Sequence, residues 1–199
     1  MINEALIKEF DNCLKKYCSY IYDYYQNSLP EEEIDMHMNK MGILNDDYKT
    51  LYKWKNGLDL GASRSFPKEF RISDFGNIVS LDDALHQFTE IRKSGTELEW
   101  PASQVVMFDN LIGERLLLET DKNSPYNNFV FCYHSYGSDA CQSISYYDSI
   151  EKMLITLIEQ FEQKALWFDD SKGFLEIDFD KLFEIGKIIN HKSEYWTLL

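Results

Sequence analysis

The chain has few of the features that build phosphate loops, metal sites or membrane spans. Its nine glycines are dispersed through 199 residues and never form the Gly-x-Gly-x-x-Gly loop of dinucleotide-binding proteins. Its four cysteines include no Cys-x-x-Cys pair, so zinc ribbons and thioredoxin-like redox chemistry have no support. The longest apolar runs, such as Leu116-Leu117-Leu118, are far too short to cross a bilayer. We therefore expect no cofactor, no metal and no membrane contact.

Positive charge is also scarce. The chain has 20 lysines and arginines against 34 acidic residues, a net charge of −14. The excess is spread out, with 12 basic and 18 acidic side chains in residues 1–100 and 8 and 16 in residues 101–199. Such a field repels nucleic acid and attracts basic proteins, although acidity also serves solubility alone. The chain opens without a positively charged stretch followed by an apolar one, so a cytoplasmic location is expected.

Hydrophobic periodicity predicts helices in both halves of the chain, because apolar residues recur every three or four positions. Ser28 and Glu31 have the spacing of a capping box that opens a second helix, and Asn45 is a suitable N-cap for a third. Gly57 is expected to end that third helix in the left-handed conformation. The predicted helices are 2–26, 30–42, 45–57, 80–95, 150–161 and 179–189.

The centre of the chain predicts an antiparallel sheet. Four apolar or alternating runs are joined by links of turn length, which parallel neighbours could not use. These runs are 104–109, 115–119, 128–134 and 141–146, and weaker short strands are predicted at 70–72 and 78–79. Helices, then strands, then helices indicate an α+β fold with helices flanking and wrapping the sheet. We expect one domain over residues 1–199, with residues 1–27 as a helical extension packed on it.

Two arrangements of side chains suggest catalysis or metal binding, and both are weak. Cys132, His134 and Cys141 make a partial zinc set, but a closed site needs a fourth ligand at matching spacing. A Cys-His-Asp hydrolase could be assembled from either cysteine with His134 and Asp139, yet no nucleophile motif surrounds the cysteines. The favoured interpretation is that these are ordinary residues of one hairpin, so no catalytic residue is assigned and the chain is not expected to be an enzyme.

Several short motifs follow one another in a characteristic order. They are Trp54-Lys55-Asn56-Gly57, then Trp100-Pro101 before a strand that ends at Asp109, then Gly113, then Tyr147-Asp148-Ser149, and lastly the segment from Ile189 to Trp196. In order and spacing they resemble the SUKH superfamily over most of residues 28–196. That superfamily includes a fungal cell-wall synthesis regulator and many bacterial immunity proteins of polymorphic toxin systems. One departure is His191, which follows the tail asparagine where many members have proline.

The resemblance implies an α+β sandwich with a concave face that docks proteins and with no catalytic residues. It implies that five family-like positions hold the fold and do not contact a partner: Asn56, Gly57, Trp100, Asp109 and Trp196.

The first functional hypothesis is an immunity protein that binds a cognate toxin domain and blocks its active site. An acidic protein would complement a basic nuclease domain. A regulatory or scaffold module is the alternative, and a small-molecule hydrolase using His134 is the third hypothesis. The candidate contacts are exposed acids: Glu31, Glu32, Asp35, Asp46, Asp47, Glu97, Glu99 and Asp139.

Overall fold

The chain folds into eight helices and seven strands among the residues that the structure, a computed structural model, describes: 2–58, 61, 71–94, 101–134 and 143–197. The α+β class expected from the sequence is confirmed. The helices are α1 Glu4–Tyr17, α2 Ser19–Tyr22, α3 Glu31–Met41, α4 Asp46–Trp54, α5 Leu81–Ser94, α6 Ile150–Glu162, α7 Phe179–Ile189 and α8 Glu194–Thr197. The strands are β1 Asn77–Ile78, β2 Gln104–Asp109, β3 Glu114–Glu119, β4 Val130–His134, β5 Ile144–Tyr147, β6 Leu166–Asp169 and β7 Phe174–Ile177.

The main sheet is an antiparallel meander. Its five strands lie in the order β1-β2-β3-β4-β5, which is also their order along the chain, so the predicted topology is confirmed. Strand β2 is buried along its whole length, and its apolar run Val105-Val106-Met107-Phe108 supplies side chains to both faces of the sheet. A bulge between Val106 and Phe108 shifts the pairing with β3. The strand predicted at 70–72 is wrong for residues 71 and 72, and Phe70 lies outside the described residues.

A second sheet consists of the hairpin β6–β7 alone, which the sequence patterns did not predict. Its turn runs through Asp170, Ser171 and Lys172 to Gly173, which has a φ of 77°. Glycine adopts this left-handed conformation without a steric penalty, and the turn closes through the Gly173 N–H, which donates to the Asp169 carbonyl at 2.7 Å. The hairpin links α6 to α7.

The first helical segment is shorter than its periodicity predicts. Helix α1 ends at Tyr17, and Cys18 leaves the helical conformation with φ −123° and ψ 32° before α2 begins. The prediction of one helix over 2–26 is therefore wrong. Phe10 and Leu14 of α1 have no exposed surface, and α1 packs against α6, so this segment contributes to the hydrophobic core. Within the described ranges, no helix combines the length and the apolar character needed to cross a membrane.

Two of the predicted caps need correction, and one is confirmed. Asn45 caps α4, since its Oδ1 accepts the N–H of Tyr48 at 2.9 Å. The predicted capping box at Ser28 is wrong, because Pro30 holds an extended conformation (φ −55°, ψ 144°) and α3 begins after it without a side-chain cap. The third helix ends at Trp54, since the next residue is extended. Gly57 has the left-handed conformation, with φ 69°, but it lies three residues beyond the end of this helix and does not terminate it.

Candidate interaction surfaces

The Asn56-Gly57 pair joins three separate parts of the fold. Asn56 is buried, and its Nδ2 donates to Gln26 Oε1 at 2.7 Å while its Oδ1 accepts the N–H of Leu81 at 3.0 Å, at the start of α5. Gly57 lies against the chain at Val79, where an added Cβ would overlap the Val79 backbone carbonyl. The Asn56 amide is buried and hydrogen-bonded to two other segments of the chain. Its role is therefore structural, and it is not available to a partner.

The tail motif is a second buried junction. Asn190 has no exposed surface; its Nδ2 donates to Thr156 Oγ1 of α6 at 2.9 Å, and its Oδ1 accepts the N–H of Asp148 at 3.2 Å. The Asp148 carboxylate in turn accepts from the Ser193 hydroxyl at 2.7 Å. The segment after α7 is thus attached both to α6 and to the residues that precede α6.

Trp196 completes this junction. Its Nε1–H donates to the Tyr146 carbonyl on strand β5, and its ring lies on Gly186 of α7. A Cβ at Gly186 would lie 2.6 to 2.7 Å from three ring atoms of Trp196. The absence of a side chain at Gly186 is therefore what allows α8 to pack on α7 and β5.

Asp109 holds the β2–β3 turn. Its carboxylate is buried and accepts from the N–H of Leu111 at 2.6 Å, from Arg115 Nε at 3.1 Å and from Gln87 Nε2 at 3.2 Å. This residue, with Asn56, Gly57 and Trp196, has the structural contacts that the resemblance implies. Trp100, the fifth position of that set, lies outside the described residues.

The predicted contact acids on α3 are largely engaged within the molecule. Glu31 forms ion pairs with Lys49 at 2.8 Å and with Lys53 at 2.9 Å, and hydrogen bonds from these two lysines lower the pKa of the Glu31 carboxyl to about 2. Asp35 forms an ion pair with Lys49 at 2.6 Å. These lysines lie on α4, so the ion pairs connect α3 to α4. They also neutralise part of the negative charge that was predicted to face a partner.

The other six predicted acids fall into three groups. Asp47 accepts the backbone N–H of Ile2 at 2.6 Å, which attaches the start of the chain to α4. Glu32 and Asp46 are exposed, and among the described residues neither carboxylate forms a hydrogen bond or an ion pair, so both remain available to a partner. Residues 31–54 contain six acids and three lysines. Three predicted contacts, Glu97, Glu99 and Asp139, lie outside the described residues.

The sequence reasoning missed the outward face of the β6–β7 hairpin. Trp167 lies opposite Glu176, and Asp169 lies opposite Phe174, so all four side chains are on one face of this sheet. Trp167 is 38% exposed. The signal was present in the sequence, because the turn-forming run Asp170-Ser-Lys-Gly173 is flanked by aromatic and branched residues on both sides.

The inward face of the hairpin fixes it to the rest of the protein. The Phe168 ring stacks on the ring of Tyr20 in α2, with 3.8 Å between centroids, and Leu166 and Leu175 are buried. The Asp178 N–H also donates to the Ala165 carbonyl at 2.9 Å, which closes the base of the hairpin. These contacts hold the hairpin, and with it the outward face, in a fixed position on the protein.

The suggested catalytic residues do not form a nucleophile site among the described residues. Cys132 has no exposed surface, and burial raises the pKa of its thiol to about 12, which suppresses the reactive thiolate at neutral pH. His134 Nδ1 donates to Glu114 Oε1 at 3.2 Å, and this hydrogen bond raises the pKa of His134. Cys141 and Asp139 lie outside the described residues.

Metal binding has no donor set in the described part of the chain, where no three or more His, Cys, Asp or Glu side chains converge. No protein-family model matches the chain, and a search of curated proteins gave no significant match.

Proposed function

We propose that this chain is an immunity protein, which binds a cognate toxin domain in the producing cell and blocks its active site by occupying it. The observation that carries the proposal is the position of the motif residues on which the SUKH resemblance rests. Asn56, Gly57, Asp109, Asn190 and Trp196 connect separate elements of the fold. A scaffold held in this way leaves the surface free to differ between members that neutralise different toxins.

The charge of the chain supports a basic partner. Nucleases that act on anionic nucleic acid present basic active sites, and a protein with a net charge of −14 associates faster with such a surface. Among the acids predicted as contacts, the exposed carboxylates of Glu32 and Asp46 are the ones that a partner meets without breaking an internal pair. Long-range attraction, however, acts through the whole field and does not need these two residues in contact.

The proposal is tested by co-expression. The chain is produced with the product of each neighbouring open reading frame, and growth and co-purification are measured. We expect one neighbour to inhibit growth alone, and we expect this chain to restore growth and form a stable complex with a catalytically inactivated form of that neighbour. The association rate should fall steeply as salt concentration rises.

The control is an unrelated protein of similar size and negative charge, which should neither restore growth nor bind. Persistent growth inhibition with the chain folded and abundant, and no complex with the inactivated neighbour, would contradict an immunity function. An association rate that does not change with salt would remove only the electrostatic part. A complex with a non-toxic partner would favour the alternative of a regulatory or scaffold module.

A further inference from the structure

We propose that the outward face of the β6–β7 hairpin is the docking surface for a basic partner surface, with Trp167 as its anchor. This inference rests on the proposed function, because it names the face that would meet the toxin. The partner chemistry it requires is a patch of arginine or lysine with apolar surface beside it.

Aromatic side chains are exposed in and directly after the hairpin. Trp167 points outward from β6 beside the partly exposed Phe174, and Phe179, two residues after the hairpin, is 56% exposed. Tryptophan is enriched among the few interface residues that dominate binding energy, and aromatic rings add contact area at low entropic cost. Because Phe168 and Leu175 fix the inward face, this surface needs little reorganisation before it binds.

The hairpin region is also acidic. Residues 166–181 contain five acids and two lysines, a net charge of −3 that equals the net charge of residues 31–54. Within the hairpin region, Asp169 and Glu176 pair with Lys172, and Asp178 pairs with Lys181. What distinguishes the hairpin is that the carboxylates of Asp169 and Glu176 lie on the same face as Trp167. Carboxylates beside an aromatic ring suit arginine in particular, since its guanidinium pairs with carboxylates and stacks on rings.

A lysine of this chain, Lys172, already pairs with carboxylates of the hairpin beside an aromatic ring. Lys172 forms ion pairs with Glu176 and, at 3.7 Å, with Asp169, and its Nζ lies 5.6 Å from the centroid of the Phe174 ring. Half of the Lys172 side chain is exposed, and exposed pairs of this kind contribute little, so an incoming arginine can displace it. The face thus already holds one cation in the way that it would hold a partner's.

The first experiment does not depend on the toxin. Amide and indole resonances of the ¹⁵N-labelled full chain are followed by NMR during titration with a short polyarginine peptide. We expect the largest shifts at residues 166–180 and at the Trp167 indole. In the Trp167→Ala variant these shifts should weaken, while Leu44→Ala, which truncates a 67% exposed side chain next to α4, should leave them unchanged. Shifts concentrated on 31–54, or spread evenly, would overturn the inference.

The second experiment uses the toxin found by co-expression. Trp167→Ala should raise the Kd by about 30-fold or more, as expected for an anchor residue. Asp170→Lys should slow association several-fold at low salt, and Lys172→Gln should speed it. Asp46→Lys is the matched charge reversal on the other acidic segment and should have the smaller effect. Circular dichroism melting curves confirm that each variant is folded, and Trp167→Phe replaces Trp167→Ala if the latter is not.

The two proposals fail in different ways. If the wild-type chain protects cells and binds the toxin, but the hairpin variants bind as tightly as wild type, the docking surface is wrong and the immunity function stands. If no neighbour is toxic or bound, the immunity function fails, while the peptide titration still decides whether the hairpin face takes basic ligands.

Discussion

Replacing Gly186 with alanine should destabilise the protein, although alanine is the better helix former. Gly186 lies inside α7, where the change alone would stabilise by up to about 1 kcal/mol. Against this, the new Cβ would lie 2.6 to 2.7 Å from three atoms of the Trp196 ring. The ring has little room to withdraw, because its Nε1 is bonded to the Tyr146 carbonyl and the Tyr146 and Tyr195 rings lie 4.6 and 4.8 Å away, centroid to centroid.

Overpacking of this kind costs about 1–3 kcal/mol, and expelling a buried aromatic ring altogether costs about 3–5 kcal/mol. We therefore expect Gly186→Ala to lower the free energy of unfolding by up to about 2 kcal/mol in net terms, once the gain in helix propensity is subtracted from the overpacking cost. Urea denaturation followed by far-ultraviolet circular dichroism measures this difference, provided that the slope of the transition is unchanged.

The decisive comparison is the same substitution in a Trp196→Phe background, which lacks the second ring of the indole. Relief of the clash should make Gly186→Ala neutral or stabilising there, giving a coupling energy of about 1–3 kcal/mol between the two sites. A wild-type background in which Gly186→Ala increases stability, or an equal penalty in both backgrounds, would refute the packing argument.

Two further predictions concern backbone conformation and pH. Gly57→Ala should destabilise the protein more than Gly42→Ala. Both residues have a φ near 70°, which costs about 1–2 kcal/mol for alanine, but only at Gly57 would the new Cβ overlap the Val79 carbonyl. Urea unfolding of both variants measures the difference. The His134–Glu114 pair should stabilise the fold most between about pH 4.5 and 6.5, by less than about 1 kcal/mol because it is partly exposed. The raised pKa of His134 means that this contribution is lost as the pH rises, and the lowered pKa of Glu114 means that it is lost as the pH falls; a wild-type-minus-Glu114→Gln stability difference that does not vary with pH would contradict the assignment.

The sequence predicted the main sheet well because its strands are defined locally. Each of the runs 104–109 and 115–119 is short, apolar and bounded by a turn, and antiparallel neighbours need only short links. The helix from Phe179 to Ile189 was also predicted with its observed bounds, since its apolar period and the Asp178 cap lie in one continuous stretch.

Local sequence patterns did not reveal a helix break that leaves the apolar periodicity intact. Ile21 of α2 is fully buried, so the apolar repeat continues across Cys18 although the helix does not. The engagement of the candidate acids was likewise beyond the sequence. Glu31 and Lys49 are 18 positions apart, and only the packing of α3 against α4 brings their charges together. Composition therefore reveals how much charge the chain has, whereas the fold decides which of it a partner can meet.

The buried thiols give this protein an internal reporter of opening. Burial raises the pKa of both Cys13 and Cys132 to about 12, and it also raises that of Cys18, so none of the three should react with an alkylating reagent while the surrounding segments stay packed. The rate of modification at Cys13 or Cys18 would then report the detachment of the first two helices. The rate at Cys132 would report the exposure of the sheet interior. With Cys141 replaced by serine, mass spectrometry could follow both events in one sample.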